Sequence, residues 1–364
     1  KRRQRVRHYL RAHFSQFSLC FVTRLILFQT CDVYFALFAK TSLMFFRFDG
    51  LMSHNTAGNK RKDRETKTKS TEEKRTMTTQ EVNIQELGFG IEIETHIDYE
   101  TIQNERMTIG TYHHGIQVPF LPNGWKAESD SSICAPVGRR GCEITSPILK
   151  GRDGLKEAME VARILRNKGF KVNSSTGLHI SIGFDRNAPA ELLSRLISVT
   201  AYLEKAIYAA TGSKSRERGH YCKGFQKYGN AKSAKKELDQ TRYTLLNITN
   251  LQRGQSRVEF RAFTGTTSDI KIAAWVQICL GVVERALTTR RLPSWNPKPT
   301  TGGWKKAGPG ASELERCMGY LAWSDGTRRL NGGKSFGWIA TEEIVTENAI
   351  KTELRRLAKK YDAE

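Results

Sequence analysis

The chain has 364 residues, of which 38% are hydrophobic and 9% aromatic, so it is long enough to bury a sizeable core. The formal net charge is +22, which favours polyanionic partners such as nucleic acid, anionic lipid or nucleotide phosphate but decides nothing about the fold. No GxxxxGKS or GxxxxGKT segment occurs, which argues against a P-loop enzyme.

Residues 1–76 differ in composition from the rest of the chain. They contain 17 Lys/Arg and 6 Asp/Glu, so their surplus of 11 positive charges is half of the net charge of the whole chain. The apolar stretch 19–46 is interrupted every eight residues by a charged side chain, whereas a membrane-spanning helix needs roughly 20 mostly apolar residues. Residues 59–76 are dense in charge and are predicted to be disordered. We expect residues 1–76 to be disordered or a non-native N-terminal extension, and a weak membrane-surface anchor is the alternative.

Helical periodicity is clear in three segments further along the chain. Apolar residues recur at helical spacing in 152–170, 188–212 and 267–287, and each segment is bounded by start or stop signals. Residues 213–240 are rich in Lys, Arg and Gly, and we expect a long loop or lid there. Residues 296–312 predict a Gly/Pro hinge before a basic, helical C-terminal section that runs to residue 364.

Four short segments alternate strictly between apolar and polar residues, as half-buried strands do. They read GIEIE, CEITSPI, GLHISIG and SRVEFRAF. In an antiparallel sheet with helices on one side, the apolar faces would pack on the helices. The opposite face would then collect one set of ionisable side chains: Glu92, Glu94, Glu143, His179, Glu259 and Arg261.

This set predicts a divalent cation site. Carboxylates crowded on one face raise one another's pKa and cost stability unless they share a cation. Three alternatives stay open when each strand is considered alone. Alternating charged positions are also typical of a solvated strand face, and a lone histidine is also typical of a surface or hydrogen-bonded residue. Glu259 and Arg261 are also compatible with a structural ion pair.

A resemblance to a known family follows from six motifs taken in order. GIEIE, GWKAESDSSI, EITSP, TGLHISIG, RYTLLN and RVEFRAFTGT resemble the amidoligase family over about residues 86–290. That family is related to glutamine synthetase and glutamate–cysteine ligase. The resemblance implies an α+β catalytic domain over residues 77–295, with helices packed on one face of a curved antiparallel sheet. The concave face is expected to bind ATP and two or more Mg²⁺ ions, with Mn²⁺ as a possible substitute.

The resemblance also implies roles for individual residues. Arg261 and Asp130 are the expected catalytic residues, and Arg261 is also expected to contact phosphate together with Ser181 and Asn247. Relatives often carry a second histidine where this chain has Ser181. The expected metal ligands are Glu92, Glu94, Glu143, His179 and Glu259. The expected substrate-binding residues are Trp125, Asp130 and Ser132.

The chemistry implied is the ATP-dependent joining of a carboxylate to an amine through an acyl phosphate. The expected partners are small-molecule or peptide carboxylates and amines, and nucleic acid is not expected. Two rival interpretations remain. The first is a Mg²⁺-dependent nuclease or nucleic-acid-binding protein, which the acidic clusters and the basic charge support, and the second is a catalytically silent scaffold of the same fold. Measuring phosphate release from ATP with candidate acids and amines would distinguish the ligase from both rivals.

Cysteine usage bears on the compartment. The seven cysteines form no CxxC pair and no zinc spacing. We expect reduced thiols in a cytoplasmic protein, and a disulfide between Cys134 and Cys142 is the alternative.

Overall fold

The structure is a computed structural model. It describes residues 84–185, 191–289, 291–295, 309–321, 329–330, 334–335 and 345–364. The predictions for residues 1–76, and for most of the Gly/Pro hinge, fall outside the described residues. All described residues lie within one compact unit, Lys74–Glu364.

One antiparallel sheet organises this unit. Its strands are β1 (Gly88–Asp98), β2 (Ile116–Gln117), β3 (Lys126–Glu128), β4 (Arg139–Thr145), β5 (Leu149–Lys150), β6 (Gly177–Gly183), β7 (Leu246–Asn247) and β8 (Arg257–Thr264). The strand order is β2-β3-β4-β1-β6-β8-β7, with β5 paired to one end of β1. Two further short strands, β9 (Arg329–Leu330) and β10 (Lys334–Ser335), pair only with each other.

Helices form the second layer. They are α1 (Tyr99–Asn104), α2 (Gly151–Asn167), α3 (Leu192–Ala209), α4 (Lys214–Arg218), α5 (Ala231–Leu238), α6 (Thr249–Gln252), α7 (Asp269–Thr288), α8 (Pro309–Tyr320) and α9 (Glu347–Ala363). Helix α7 packs against α2, α3 and α9, and α8 packs against α3 and α9. The three helices predicted from periodicity are α2, α3 and α7. No helix among the described residues is long and apolar enough to cross a membrane.

The two faces of the sheet differ as the alternation predicts, except that a register shift between β6 and β8 turns Phe263, which has the parity of Glu259, into the core. The apolar face of the strands joins the helices in a single hydrophobic core that includes Ile93, Ile144, Ile180 and Phe260. Trp275 of α7 stacks on the ring of Phe263 at 4.9 Å between centroids. The mixed α/β architecture with an antiparallel sheet is therefore confirmed, and the polar face lies on the side of the strands opposite this core.

Residues 213–240 are not the continuous loop that composition predicted. They contain α4 and α5, and both helices have capped N-termini. Ser213 accepts a hydrogen bond from the Ser215 amide, and Asn230 accepts one from the Ser233 amide. Helix α5 also buries Leu238. These caps and the burial of Leu238 stabilise helical turns, which the Lys-rich composition did not indicate.

All five cysteines among the described residues are free thiols, so the alternative pairing of Cys134 with Cys142 is not present. Cys142 is buried behind the sheet, and burial raises the pKa of its thiol to about 11. Cys134 lies exposed in a loop.

Candidate active site

Strand register places the acidic residues in rows across the polar face. Glu94 of β1 lies opposite Glu143 of β4, and Glu143 in turn lies opposite Glu128 of β3. In the next row, Glu92 lies opposite His179 of β6. Directly opposed side chains on one face have Cβ atoms roughly 5 Å apart. With Glu259 of β8 on the same face, the sheet gathers carboxylates that are up to 167 positions apart in the numbering, from Glu92 to Glu259.

His179 lies at the centre of this face. Its Nδ1 is 3.2 Å from a carboxylate oxygen of Glu92 and 3.7 Å from one of Glu259, and its Nε2 is 3.6 Å from Glu94. Burial, with the Arg261 guanidinium beside it, lowers the pKa of His179 to about 4. The imidazole is therefore neutral near pH 7 and has a lone pair to offer a cation.

Two overlapping groups of side chains have the spacing that a metal ion requires. Among the described residues, the ligand atoms of Glu92, His179 and Glu259 lie within 4.8 Å of one another, and so do those of Glu94, Glu143 and His179. A neutral imidazole has a proton on one nitrogen and a lone pair on the other, so His179 can complete only one group.

The hydrogen-bond distances indicate which group this is. The 3.2 Å contact between His179 Nδ1 and Glu92 suits an N–H donated to the carboxylate. The lone pair of Nε2 then faces Glu94 and Glu143. A carboxylate that accepts from the second nitrogen is the usual arrangement around a ligating histidine.

Glu143 is the residue whose environment most demands a cation. It is buried, and within the described part of the chain it has neither a hydrogen bond nor an ion pair. Burial raises its pKa well above the ordinary value, and Glu92, Glu94, Asp130 and Glu128 raise it further. A divalent cation beside Glu143 would relieve this repulsion.

Glu92 has a different environment from Glu143, although the two share the face. Burial raises the pKa of Glu92, while the guanidinium groups of Arg261, Arg257 and Arg242 act to lower it. The two carboxylates of the IEIE segment therefore have different neighbours that compensate their charges. Arginine side chains compensate the charge of Glu92, and Glu94 accepts a 2.6 Å hydrogen bond from the Gly177 amide.

Glu259 is already held by protein groups on both of its oxygens. Arg261 Nη1 donates to Oε1, and Asn247 Nδ2 donates to Oε2 at 2.6 Å. Asn247 is fixed in turn, because its Oδ1 accepts from both the amide and the hydroxyl of Thr249. The structure thus contains the Glu259–Arg261 ion pair that the sequence left open, and Asn247 orients Glu259. No group among the described residues accepts a hydrogen bond from the buried Nε of Arg261.

Arg216 was not predicted from the sequence. It projects from α4, where its Nη2 donates to the carbonyl of Arg261 at 2.7 Å and its Nε donates to that of Ala262 at 3.1 Å. A Cβ on Gly177 would lie 3.2 Å from Arg216 Nη2 and 3.4 Å from Glu94. Arg216 therefore adds a second anchored guanidinium beside His179. A side chain at Gly177 would therefore crowd Arg216 and require it to shift by a few tenths of an ångström.

The DxS segment lies at the opposite edge of the face. Asp130 accepts a 2.6 Å hydrogen bond from the Ser132 amide and raises the pKa of Glu143, so it is near the acidic row. Ser132 is exposed in the same loop. Ser181 lies on the polar face, opposite Gly90 and Glu259.

Trp125 corrects a prediction. It was expected to bind substrate, but it is fully buried in the hydrophobic core. Its indole N–H donates to Glu157 of α2 at 2.7 Å. Trp125 therefore points to the helical layer, away from the carboxylates, because a large aromatic side chain gains most by leaving water.

Glu128 is the second residue that sequence reasoning missed. It is buried on the polar face, directly opposite Glu143. The signal available was the alternation in WKAE, where Glu128 has the same parity as Asp130. A strand of three residues is too short for that alternation to be conclusive on its own.

The fold and the site together define a class: a mixed α/β protein in which an antiparallel sheet carries a carboxylate-rich, histidine-centred face. Residues 65–237 match the model of the family described as "Putative amidoligase enzyme", which confirms the resemblance to the amidoligases over that part of the chain. None of the curated proteins compared with the chain matches it.

The solved structures that match the chain include one of the complex between prokaryotic ubiquitin-like protein Pup and its ligase PafA. The sequence identity is 12% and the TM-score is 0.39. The match covers 76% of this chain and 64% of that chain.

Proposed function

We propose that the protein is an ATP- and Mg²⁺-dependent carboxylate–amine ligase, with a glutamine-synthetase-like catalytic domain, that forms an amide through an acyl phosphate. The observation that carries the proposal is the convergence of Glu94, Glu143 and His179 within 4.8 Å, next to two anchored arginines. The family match over residues 65–237 supports the same class of reaction.

The residues present fit a divalent cation. Carboxylate oxygens are the preferred ligands of Mg²⁺, and a neutral imidazole is a good ligand for Mn²⁺. Burial and the acidic neighbours of Glu143 raise its pKa, so the ionised form of this carboxylate needs a positive charge beside it. The bound cation would supply neutralisation of phosphate charge, and Glu94, Glu143 and His179 would hold it.

The arginines suit the transferred phosphate. A carboxylate is a poor electrophile, so its oxygen must first attack the γ-phosphorus of ATP, with release of ADP. That step depends on alignment and charge neutralisation more than on covalent help. The guanidinium groups of Arg261 and Arg216, each fixed by protein contacts, would bind phosphate oxygens. Ser181, on the same face, is assigned to the nucleotide as well.

The second step uses the other end of the face. The lone pair of a neutral amine forms the C–N bond, the C–O bond to phosphate breaks, and phosphate leaves. We assign the amine proton to Asp130, whose carboxylate lies beside the acidic row, and a contact with substrate to the neighbouring Ser132. The domain limits 77–295 and 296–364, and the cytoplasmic location, remain predictions.

The test is a screen for phosphate release from Mg²⁺-ATP across amino acids and peptides, each offered as acid and as amine. The expected result is turnover that requires both partners, is lost with chelator, and is lost in Glu94→Gln. Glu100→Gln, an exposed carboxylate on α1, serves as the matched control. Turnover that survives in Glu94→Gln, or hydrolysis of nucleic acid in place of amide formation, would overturn the proposal.

A further inference from the structure

Helix α4, which carries Arg216, is too short to fix its own orientation. It has five residues, Lys214–Arg218, whereas an isolated helix of fewer than about 12 residues is marginal in water. Arg216 nevertheless donates to two carbonyls of β8, at 2.7 and 3.1 Å. Contacts made by the rest of α4 must therefore hold the helix in the orientation that brings Arg216 to the polar face.

The carboxylate next to Arg216 in the chain supplies such a contact. The hydroxyl of Tyr361, a fully buried residue of α9, donates to Oε2 of Glu217. Lys205 of α3 donates to both oxygens of the same carboxylate, at 2.9 and 3.2 Å. The Lys205 Nζ also lies 5.1 Å from the centre of the Tyr361 ring. Glu217 is thus fixed by two side chains that belong to two different helices.

Helix α9 also contacts the start of α4. Glu364 accepts hydrogen bonds from the Lys214 amide at 2.7 Å and from the Ser213 hydroxyl at 3.1 Å. In the turn before them, Gly212 has a φ of +74° and packs so closely on Leu357 that a Cβ there would lie 2.7 Å from the leucine Cδ2. Helix α9 therefore packs along α4 and not at a single point.

The two neighbouring side chains of α4 hold the helix from different directions. Consecutive residues of a helix point about 100° apart. Arg216 is held by the carbonyls of β8, and Glu217 is held by α9 and α3. Because a five-residue helix moves as one piece, releasing Glu217 would let Arg216 turn away from β8.

We propose that Tyr361 is a positioning residue for Arg216: its hydroxyl fixes Glu217 and thereby the orientation of α4. This inference rests on the proposed function, because it concerns the arginine that would bind the transferred phosphate. Helix α9 lies outside residues 65–237, over which the chain matches the amidoligase family. The section after the Gly/Pro segment thus takes part in supporting the site, and a misplacement of about 1 Å there can cost up to about a hundredfold in rate.

The kinetic test uses Tyr361→Phe, which removes the hydroxyl and keeps the buried ring. We expect kcat for amine-dependent phosphate release from Mg²⁺-ATP to fall about tenfold, while KM for ATP changes by less than about twofold. The double variant Tyr361→Phe/Arg216→Lys should be no slower than Arg216→Lys alone, because both changes remove the same contribution. A wild-type kcat in Tyr361→Phe, or losses that multiply in the double variant, would overturn the inference.

Controls on the same helices separate positioning from a general loss of stability. Asp362 is the next residue of α9, but it accepts from the amides of Gly310 and Ala311 at the start of α8, at 2.7 and 2.9 Å. Asp362→Ala should therefore lower the melting temperature and leave kcat unchanged. Glu217→Gln keeps an oxygen that can accept from Tyr361, so it should lose less kcat than Glu217→Ala. Equal losses of kcat in Asp362→Ala and Tyr361→Phe would show that both act through stability alone, which would overturn the inference.

Hydrogen exchange of the metal-free protein tests the positioning without turnover. Amides of residues 213–219, followed by mass spectrometry, should exchange about fivefold faster in Tyr361→Phe than in the wild type and at the wild-type rate in Asp362→Ala. Equal exchange in Tyr361→Phe and the wild type would remove the inference and leave the ligase. Faster exchange in Tyr361→Phe, in a protein whose wild type shows no amine-dependent turnover, would keep Tyr361 as the residue that positions Arg216 and remove the ligase.

Discussion

Acid is expected to destabilise the metal-free protein through His179. Burial lowers the pKa of this imidazole from 6.5 to about 4. Each pKa unit corresponds to about 1.4 kcal/mol, so placing a proton on the buried ring costs roughly 3 kcal/mol more than it does in the unfolded chain. The unfolded chain takes up this proton as the pH falls through 6.5, whereas the folded ring resists it down to about 4. The free energy of unfolding must therefore decrease as the pH is lowered across this window.

The assay is urea unfolding in chelator at pH 7 and at pH 4.5, for the wild type and for His179→Asn. Other groups also titrate, so the informative quantity is the difference between the two proteins. The wild type should lose about 2.5 kcal/mol more than His179→Asn between the two pH values. His220→Asn changes an exposed histidine and should follow the wild type. Equal losses in the wild type and in His179→Asn would show that the ring is not held neutral, and the reasoning about its free lone pair would fail.

Four further outcomes are expected. Glu92→Gln removes one of several like charges, so the metal-free protein should be at least as stable as wild type while Mn²⁺ affinity falls about tenfold; a much lower melting temperature would mean that Glu92 is a structural partner. Gly177→Ala places a Cβ 3.2 Å from Arg216 Nη2 and should cost about 1–2 kcal/mol by urea unfolding, whereas Gly183→Ala on the same strand meets nothing closer than 3.6 Å and should cost less. Arg216→Lys keeps the charge but loses the fork that binds two carbonyls and, in the proposed function, a phosphate, so it should depress kcat more than it raises KM for ATP, with the exposed Arg218→Lys as the control; equal effects of the two changes would remove Arg216 from the site. A protein that begins at Met77 should fold and bind nucleotide as the full chain does, and an insoluble product would show that the earlier segment belongs to the fold.

The alternation of apolar and polar residues predicted strands β1, β4, β6 and β8 and the ionisable residues on their polar face. In a strand, parity alone decides the face, so Glu92, Glu94, Glu143 and His179 had to lie on the same side once the strands paired. The helices α2, α3 and α7 followed from their periodicity, because one apolar stripe at helical spacing is a local property of the sequence. Caps made by single side chains, as at Ser213 and Asn230, are weaker signals, and the two helices that they begin were missed.

Several features of the site depend on contacts that no local pattern encodes. Arg216 reaches the site from α4 by donating to carbonyls of β8 that are 45 and 46 residues away in sequence. Trp125 was read as a site residue because its motif contains site residues, but only packing against α2 decides that it lies in the core.

Pairing between side chains is likewise a tertiary property. The sequence established that Glu259 and Arg261 share a face, but the orientation of Asn247 and the rotamer of Arg261 decide that both oxygens of Glu259 are taken. The same holds for the centre of the site. Which nitrogen of His179 is left with a lone pair depends on the distance from Nδ1 to Glu92, and that distance exists only after β1 and β6 have paired in register. Residue types and parity are local, whereas hydrogen-bond partners and burial are set by the surroundings that the whole fold creates.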